Sequence, residues 1–291
     1  MDGIPLGTSC TWSDARARGV TRGQISTDGI PLARGLYLSR AAEPDLVTRC
    51  AAWARVLPPD AALALDTAAA LHGAAPETPD IHVALRPRRV LPQFAGITVH
   101  VRALADEDVV ERSGLRLTSG AQTFLDLAAR RAPHDLVALG DALMRAGALD
   151  REALGRRLAR ADRVRGVVSA RAWAPHLTAR SGSHPESFIR YWLLASDLPE
   201  PQVQLPVYDR WGREVAHADL GYERWKIALE YEGRQHAERD QFGRDVDRYS
   251  LMAADGMLVL RFAARHIGGP GVVVDRTRRA LTSRGWHPGE S

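Results

Sequence analysis

Two glutamates two positions apart, Glu230 and Glu232, belong to an alternating stretch that runs from Lys226 to Tyr231 and on to Gly233. Strand side chains change face at every residue. Ile227, Leu229 and Tyr231 are therefore expected on one face, and Ala228, Glu230 and Glu232 on the other. Asp219 lies late in the preceding extended stretch, 215–220, and a turn around 222–224 folds the two stretches into a hairpin that carries Asp219 toward Glu230. Carboxylates gathered at one end of a sheet repel one another, unless a cation sits among them or protons are taken up. Hard oxygen donors suit Mg2+ or Mn2+, which orient water and neutralise the charge that develops on a phosphodiester. Hydrolysis is the reaction such a group would serve, with Asp219 and Glu230 as metal ligands.

Other polar residues read two ways. Glu232 and His236 are either further members of the site or exposed loop residues, and Glu186 is either a further acid or a charge favoured by a helix start. Asp245 and Arg248, three apart on a helix starting near Phe242, suit an ion pair on one helix face.

The elements that must position these residues follow from periodicity. A helix begins at Glu186 and carries Phe188, Ile189, Trp192 and Leu193; Val203, Leu205 and Val207 alternate as a strand, and 209–212 reads as a turn. After the Asp255–Gly256 turn, 257–262 is a short apolar strand and 272–281 a helix. Helix, three strands, helix, strand, helix is the order of a layered α/β domain.

Upstream, 12–18 and 22–26 suit short helices around a Gly19 turn, and 36–38 suits a strand after Gly35, an order that fits a winged helix-turn-helix or a helical cap. Helices are expected at 45–57, stopped by Pro58 and Pro59, and at 61–72, ended by Gly73. Alternation marks strands at 81–85 and 97–101, each buried on one face, with Arg86, Arg88 and Arg89 in a basic turn between them. Helices return at 123–129 and 136–144, where Ser119 and Gln122 fit a capping box. The stretch 145–165 reads as a surface helix whose arginines, Arg156, Arg157 and Arg160 among them, face either solvent or a nucleic-acid backbone. Arg22 and Arg34 are further candidate nucleic-acid contacts in the front region.

Bulk properties narrow the field. The 291 residues suffice for more than one core, given domains of about 100–150 residues. Apolar residues at 45% and charged residues at 25% exclude a disordered or fibrous chain. Lys226 is the only lysine, so the formal charge of +4 is carried by arginine, which grips phosphate bidentately. Cys10 and Cys50 make no disulfide framework and no zinc pattern. The start lacks a signal peptide and no run is long enough to span a bilayer, so a cytoplasmic protein with no membrane partner is expected.

The segments HPESFIRYWLL at 184–194, LPEPQVQLPVYDRWG at 198–212, HADLGYERWKIALEYEGRQH at 217–236 and FGRDVDRYSLMAADGMLVLRF at 242–262 resemble the DUF559 family. That family is related to the very short patch repair (Vsr) endonucleases of the restriction-endonuclease-like PD-(D/E)XK group. The resemblance implies a three-layer α/β nuclease-type domain around a mixed sheet, with Asp219 as the metal-binding aspartate and Glu230 as the first acid of the half-motif. It matches Glu186 to the acid of the first helix, His236 to the following family histidine, and Asp245 with Arg248 to a D..R element. Glu232 stands where the group's lysine usually stands, a departure that leaves water activation to Glu232, His236 or the metal.

The front stretches GVTRGQISTDGIPLARGLYL at 19–38, ALALDTAAALHG at 62–73, IHVALRPRR at 81–89 and GLRLTSGAQTFLDLA at 114–128 resemble AbiEi-like antitoxins of type IV toxin-antitoxin systems. The resemblance implies a winged helix, here with short helices, and a small mixed domain able to bind DNA, with a toxin-like or defence-system protein as a further partner. The expected organisation is a winged-helix-like region at 1–42, an α+β middle domain with a basic connector at 43–180, and a nuclease-type domain at 181–291. Three activities remain open: a Mg2+- or Mn2+-dependent DNA endonuclease, a non-enzymatic DNA-binding regulator or antitoxin-like protein on an inactive nuclease fold, and a nuclease acting on RNA.

Overall fold

A computed structural model of the chain describes residues 7–88, 90–208, 211–233 and 249–290. Its architecture is mixed α/β, with helices flanking two mixed sheets and one small antiparallel sheet. The chain divides into two compact units, Met1–Arg130 with Ala146–Ala174, and Arg131–Arg145 with Pro175–Ser291.

The amino-terminal unit opens with β1 (Ser9–Thr11), α1 (Trp12–Ala17), α2 (Arg22–Asp28), β2 (Gly29–Ala33) and β3 (Leu36–Ser39), the strands pairing antiparallel in the order β1-β3-β2. Both helices start on reciprocal caps, Thr11 with Asp14 and Thr21 with Gln24, which satisfy amide donors that so short a helix could not otherwise answer. Cys10, Ala15, Val20 and Ile25 form their small core.

Next come α3 (Leu46–Ala54), β4 (Ala62–Leu63), α4 (Leu65–Leu71), β5 (Ile81–Leu85), β6 (Ile97–Val101), β7 (Val109–Arg112) and β8 (Leu115–Thr118). Five of these form a mixed sheet in the order β6-β5-β4-β8-β7, with β5/β6 and β4/β8 parallel. The expected helix at 61–72 is shorter by its first turn, because Ala62 and Leu63 pair with Ala84, Val83 and Leu117 and so join the sheet. Every residue of β5 is buried, so this strand is covered on both faces rather than one, as suits a central strand. Helices α5 (Gly120–Ala128), α7 (Arg151–Ala159) and α8 (Val167–Trp173) complete the unit. The expected single helix over 145–165 is broken: α7 is capped by Asp150, and left-handed backbone at Arg163 and Gly166 turns the chain into α8.

The second unit contains α6 (Pro133–Arg145), α9 (His184–Leu194), β9 (Gln202–Tyr208), β10 (Glu214–Tyr222), β11 (Ile227–Glu232), β12 (Leu258–Ala263) and α10 (Pro270–Ser283). Its sheet runs β12-β11-β10-β9, antiparallel except for β11/β12. On one face Leu220, Tyr222, Ile227, Leu229 and Phe262 pack with Ile189, Trp192 and Leu193 of α9 and with Val273 and Leu281 of α10. On the other face Leu205, Val207, Ala218 and Ala228 meet Met252, within the helical residues 249–254. A fully buried leucine or phenylalanine of this kind contributes about 1.5–3 kcal/mol over its exposed state.

Helix α6 belongs to this unit through a buried ion pair. Asp141, fully buried, accepts Arg190 Nη2 at 2.7 and 2.9 Å, Ser187 Oγ at 2.7 Å and the Thr178 N–H at 2.8 Å. Among the described residues, no helix is long and apolar enough to cross a membrane.

Candidate functional site

The alternation of β11 places its residues as the sequence implies. Ile227 and Leu229 belong to the core beneath α9 and α10 with Tyr231 packed against it, whereas Ala228 belongs to the core of the opposite face. Glu230 therefore shares the Ala228 face, and it is 3% exposed. The β10/β11 pairing runs Tyr222–Ile227, Gly221–Ala228, Leu220–Leu229, and Asp219 and Glu230 are the next residues of the two strands beyond it. The Asp219 carboxylate then bends to the neighbouring backbone, where Oδ2 accepts the Tyr231 N–H at 2.7 Å.

Gly221 makes the close strand approach possible. A Cβ there would lie 2.4 Å from Leu205 Cδ2 and 2.7 Å from the Ile227 carbonyl oxygen, so no other residue fits without moving β9 or β11. Lys226 at the start of β11 has left-handed backbone with φ 50° and directs its ammonium to Asp255, at 2.9 Å from the carbonyl and 3.5 Å from the carboxylate. The only lysine is thus bound at the opposite end of the strand from Glu232.

Glu232 is bound on the same face. It forms an ion pair with Arg261 and accepts Tyr249 Oη–H at 3.1 Å, while the Arg261 guanidinium stacks 4.5 Å from the Tyr249 ring centre. Arg261 is also the parallel register partner of Glu230 in the β11/β12 pairing. The sequence did not single out Arg261 as a site residue, because its relation to Glu230 depends on which strand pairs with β11.

Glu186 caps its own helix: its carboxylate accepts the Gly182 N–H at 2.7 Å and Ser183 Oγ–H at 2.8 Å. Among the described residues, no group of three or more His, Cys, Asp or Glu stands close enough to hold a metal, so neither Glu186 nor Glu232 joins Asp219 and Glu230 as a third ligand. His236, Asp245 and Arg248 lie outside the described residues.

The candidate nucleic-acid contacts divide. Arg22 and Arg34 line one concave surface of about 630 Å3 with Trp12, Ser26 and Tyr37, and the Arg22 guanidinium lies 5.4 Å from the Trp12 ring centre. Arg86 pairs with Asp106 at 2.8 Å, Arg88 with Asp60, and Arg156 with Glu152 at 2.5 Å. Arg160 is held by Asp108 at 2.7 Å and Glu107 at 3.0 Å. Arg157 is buried, donating to Gln122 Oε1 at 2.6 Å and pairing with Asp108 at 3.3 Å, so it ties α7 to α5 instead of facing solvent or a nucleic-acid backbone, the alternatives the sequence left open. Arg89 lies outside the described residues.

No family model matches the chain. It is 32% identical over 248 residues to the uncharacterized protein Rv2248 of Mycobacterium tuberculosis strain H37Rv, covering 84% of this chain and 85% of the relative. The uncharacterized protein MT2308 of strain CDC 1551 matches with the same identity and coverage. Among solved structures, the RV2827C protein of Mycobacterium tuberculosis aligns over 72% of this chain and 82% of its own, at 20% identity and a TM-score of 0.42.

Proposed function

We propose that this chain, which belongs to the family of the uncharacterized mycobacterial proteins Rv2248 and MT2308, is a divalent-metal-dependent DNA endonuclease. On this reading its carboxy-terminal unit is a restriction-endonuclease-like domain of the DUF559 and Vsr kind, delivered to DNA by a winged-helix-like front region. The observation that carries the proposal is the Asp219 carboxylate accepting the Tyr231 N–H, directly after Glu230 on the adjacent strand, with Glu230 buried.

Carboxylate oxygens are hard donors of the kind that Mg2+ and Mn2+ prefer. Two carboxylates are also the protein share that Mg2+ commonly takes, with water and substrate phosphate completing its shell. The residues present therefore fit Mg2+ or Mn2+, held by Asp219 and Glu230. The bound ion would supply charge neutralisation at the phosphodiester and lower the pKa of attacking water. The chain's own residues supply position: Tyr231 N–H fixes the Asp219 carboxylate, and the strand backbone fixes Glu230. Glu232, engaged by Arg261 and Tyr249, is an anchored acceptor rather than a free base.

A second reading, a DNA-binding regulator or antitoxin-like protein that keeps the nuclease fold as a scaffold, is favoured by the Glu232–Arg261 pair at the position where the resemblance calls for lysine. One assay separates the two. Purified protein is incubated with supercoiled and linear DNA and with RNA, in Mg2+, Mn2+ or chelator, beside Asp219→Asn and Glu230→Gln. Metal-dependent cutting of DNA that both variants lose supports the nuclease. Binding without cutting in every metal supports the scaffold, and cutting confined to RNA reassigns the substrate.

A further inference from the structure

Several arginines of the amino-terminal unit are answered by an acid: Arg55 by Asp14, Arg86 by Asp106, Arg88 by Asp60, and Arg157 and Arg160 by Asp108. Arg130 and Arg165 are exposed and make no ion pair among the described residues. They nevertheless converge, with Arg102, on one concave site of about 450 Å3 whose remaining lining is Asp126, Ala129 and Val164. Three segments supply the three guanidinium groups: Arg102 directly follows β6, Arg130 follows α5, and Arg165 precedes α8.

The site is built rather than incidental. Gly166, with φ 85°, lets the loop bearing Arg165 close onto the end of α5, where a Cβ would stand 2.4 Å from the Ala129 nitrogen and 2.6 Å from the Ala128 carbonyl carbon. Asp126, its side chain 3% exposed, accepts Arg102 Nε at 2.9 Å, and the Val101 carbonyl accepts Arg102 Nη1 at 2.9 Å. These contacts fix the Arg102 guanidinium from behind while it stays 37% exposed.

Three cations against one carboxylate leave two positive charges in a single hollow. Such repulsion is relieved when an anion is bound, and oxyanions accept the forked donors of arginine. Arg102 and Arg130 also act on His100, which is pushed down to about 4, first by burial, then by His82, Arg102 and Arg130. The lining contains small aliphatic side chains and no aromatic ring on which a base would stack, so recognition falls on oxygens rather than on bases. The volume lies within the range of roughly 300–1,000 Å3 usual for small-ligand sites.

We propose that Arg102, Arg130 and Arg165 form a phosphate-binding site, which accepts either a backbone phosphate of a nucleic acid or the terminal phosphates of a free nucleotide. The site is independent of the carboxylates of the other unit. The full-length protein, in chelator so that nothing is cut, is titrated calorimetrically with pyrophosphate, with a nucleoside triphosphate and with a duplex oligonucleotide bearing 5′-hydroxyl ends. The same titrations are made with Arg130→Gln/Arg165→Gln, whose exposed positions leave the fold intact, and with Arg130→Lys/Arg165→Lys.

A loss of at least tenfold in the glutamine variant for pyrophosphate and the triphosphate assigns a free phosphate ligand. The same loss confined to the duplex assigns the nucleic-acid backbone. Lysine is expected to restore only part of the affinity, since it keeps the charge without the fork. Equal affinities of the glutamine variant and the parent for all three probes, or no binding of any probe by the parent, overturn the proposal. A parent that binds phosphate here but cuts nothing in the Mg2+ or Mn2+ cleavage assay sinks the nuclease reading alone.

Discussion

The carboxylate of Asp219 accepts the backbone N–H of Tyr231 at 2.7 Å, at the residue directly after Glu230. One side chain thereby joins β10 to β11 one step beyond the Leu220–Leu229 pair and links two acid-bearing stretches on the two central strands of the sheet. Its effect on stability and its effect on chemistry are separable. Asp219→Asn keeps an acceptor for Tyr231, so folding stability is expected to change by less than about 1 kcal/mol, whereas Asp219→Ala is expected to cost about 1–3 kcal/mol for the stranded amide. Both are expected to remove metal-dependent cleavage by roughly 100- to 1,000-fold, the kinetic equivalent of about 3–4 kcal/mol of lost charge stabilisation. Denaturant titration beside a cleavage time course checks this, and cleavage surviving in Asp219→Asn refutes the assignment.

Arg22 and Arg34 share one concave surface with Trp12 and have no carboxylate partner among the described residues, so they are available to phosphate. Replacing each with alanine is expected to weaken binding evenly across DNA sequences. Each phosphate contact removed lowers the slope of log affinity against log salt by about 0.9. Filter binding at several salt concentrations measures the slope. An unchanged slope in the double variant places the contact surface elsewhere.

The Asp141–Arg190 pair is buried on both sides, 0% and 3% exposed. Asp141→Ala leaves an uncompensated guanidinium and is expected to destabilise its unit by about 3–5 kcal/mol, while Asp141→Leu with Arg190→Met loses less than the sum of the single changes. Urea unfolding monitored by tryptophan fluorescence, Trp192, Trp225 and Trp286 all being in this unit's core, reports the difference. Additive losses contradict the pairing.

His100 is held down to about 4 from its ordinary 6.5, by burial first and by His82, Arg102 and Arg130 next, against Asp126. Its folded pKa lies below the unfolded one, so as pH falls the unfolded chain takes up the proton first. The stability linked to His100 is complete above about pH 6.5 and is lost as pH drops toward 4. Stability therefore rises with pH across that window, and His100→Asn is expected to flatten the rise. His82 and His72 are lowered too, each mainly by burial, and leave a residual slope. Thermal melts at half-unit pH steps test this, and an identical slope in the variant rejects it.

What the sequence reveals is local. Period-two alternation marks β5, β6, β9 and β11, and the opposing faces of Leu229 and Glu230 follow from it without any tertiary information. Hidden from it are features set by distant partners. Two residues, Ala62 and Leu63, become a strand only because Val83 and Leu117 flank them. The hairpin of β7 and β8 is carried by Val109–Arg112 and Leu115–Thr118, stretches too short and polar to announce themselves. Arg157 reads as a surface cation until Asp108 and Gln122, far back in the chain, enclose it. The candidate site is legible as acids on a shared face, whereas the Arg261 clasp on Glu232 depends on β12 being chosen as the parallel neighbour of β11.

Helix α6 lends one further property to the chain. The backbone passes from one unit to the other after Arg130, returns after Arg145 and passes over again after Ala174, so three covalent junctions join them instead of one. Cutting at a single junction leaves the halves tethered, and no simple truncation isolates either. A fragment beginning at Pro175 would lack α6 and, with it, the acid that neutralises Arg190. Inheritance, shuffling or fusion of the carboxy-terminal piece alone would therefore transmit an unfinished body, which ties the history of the two units together.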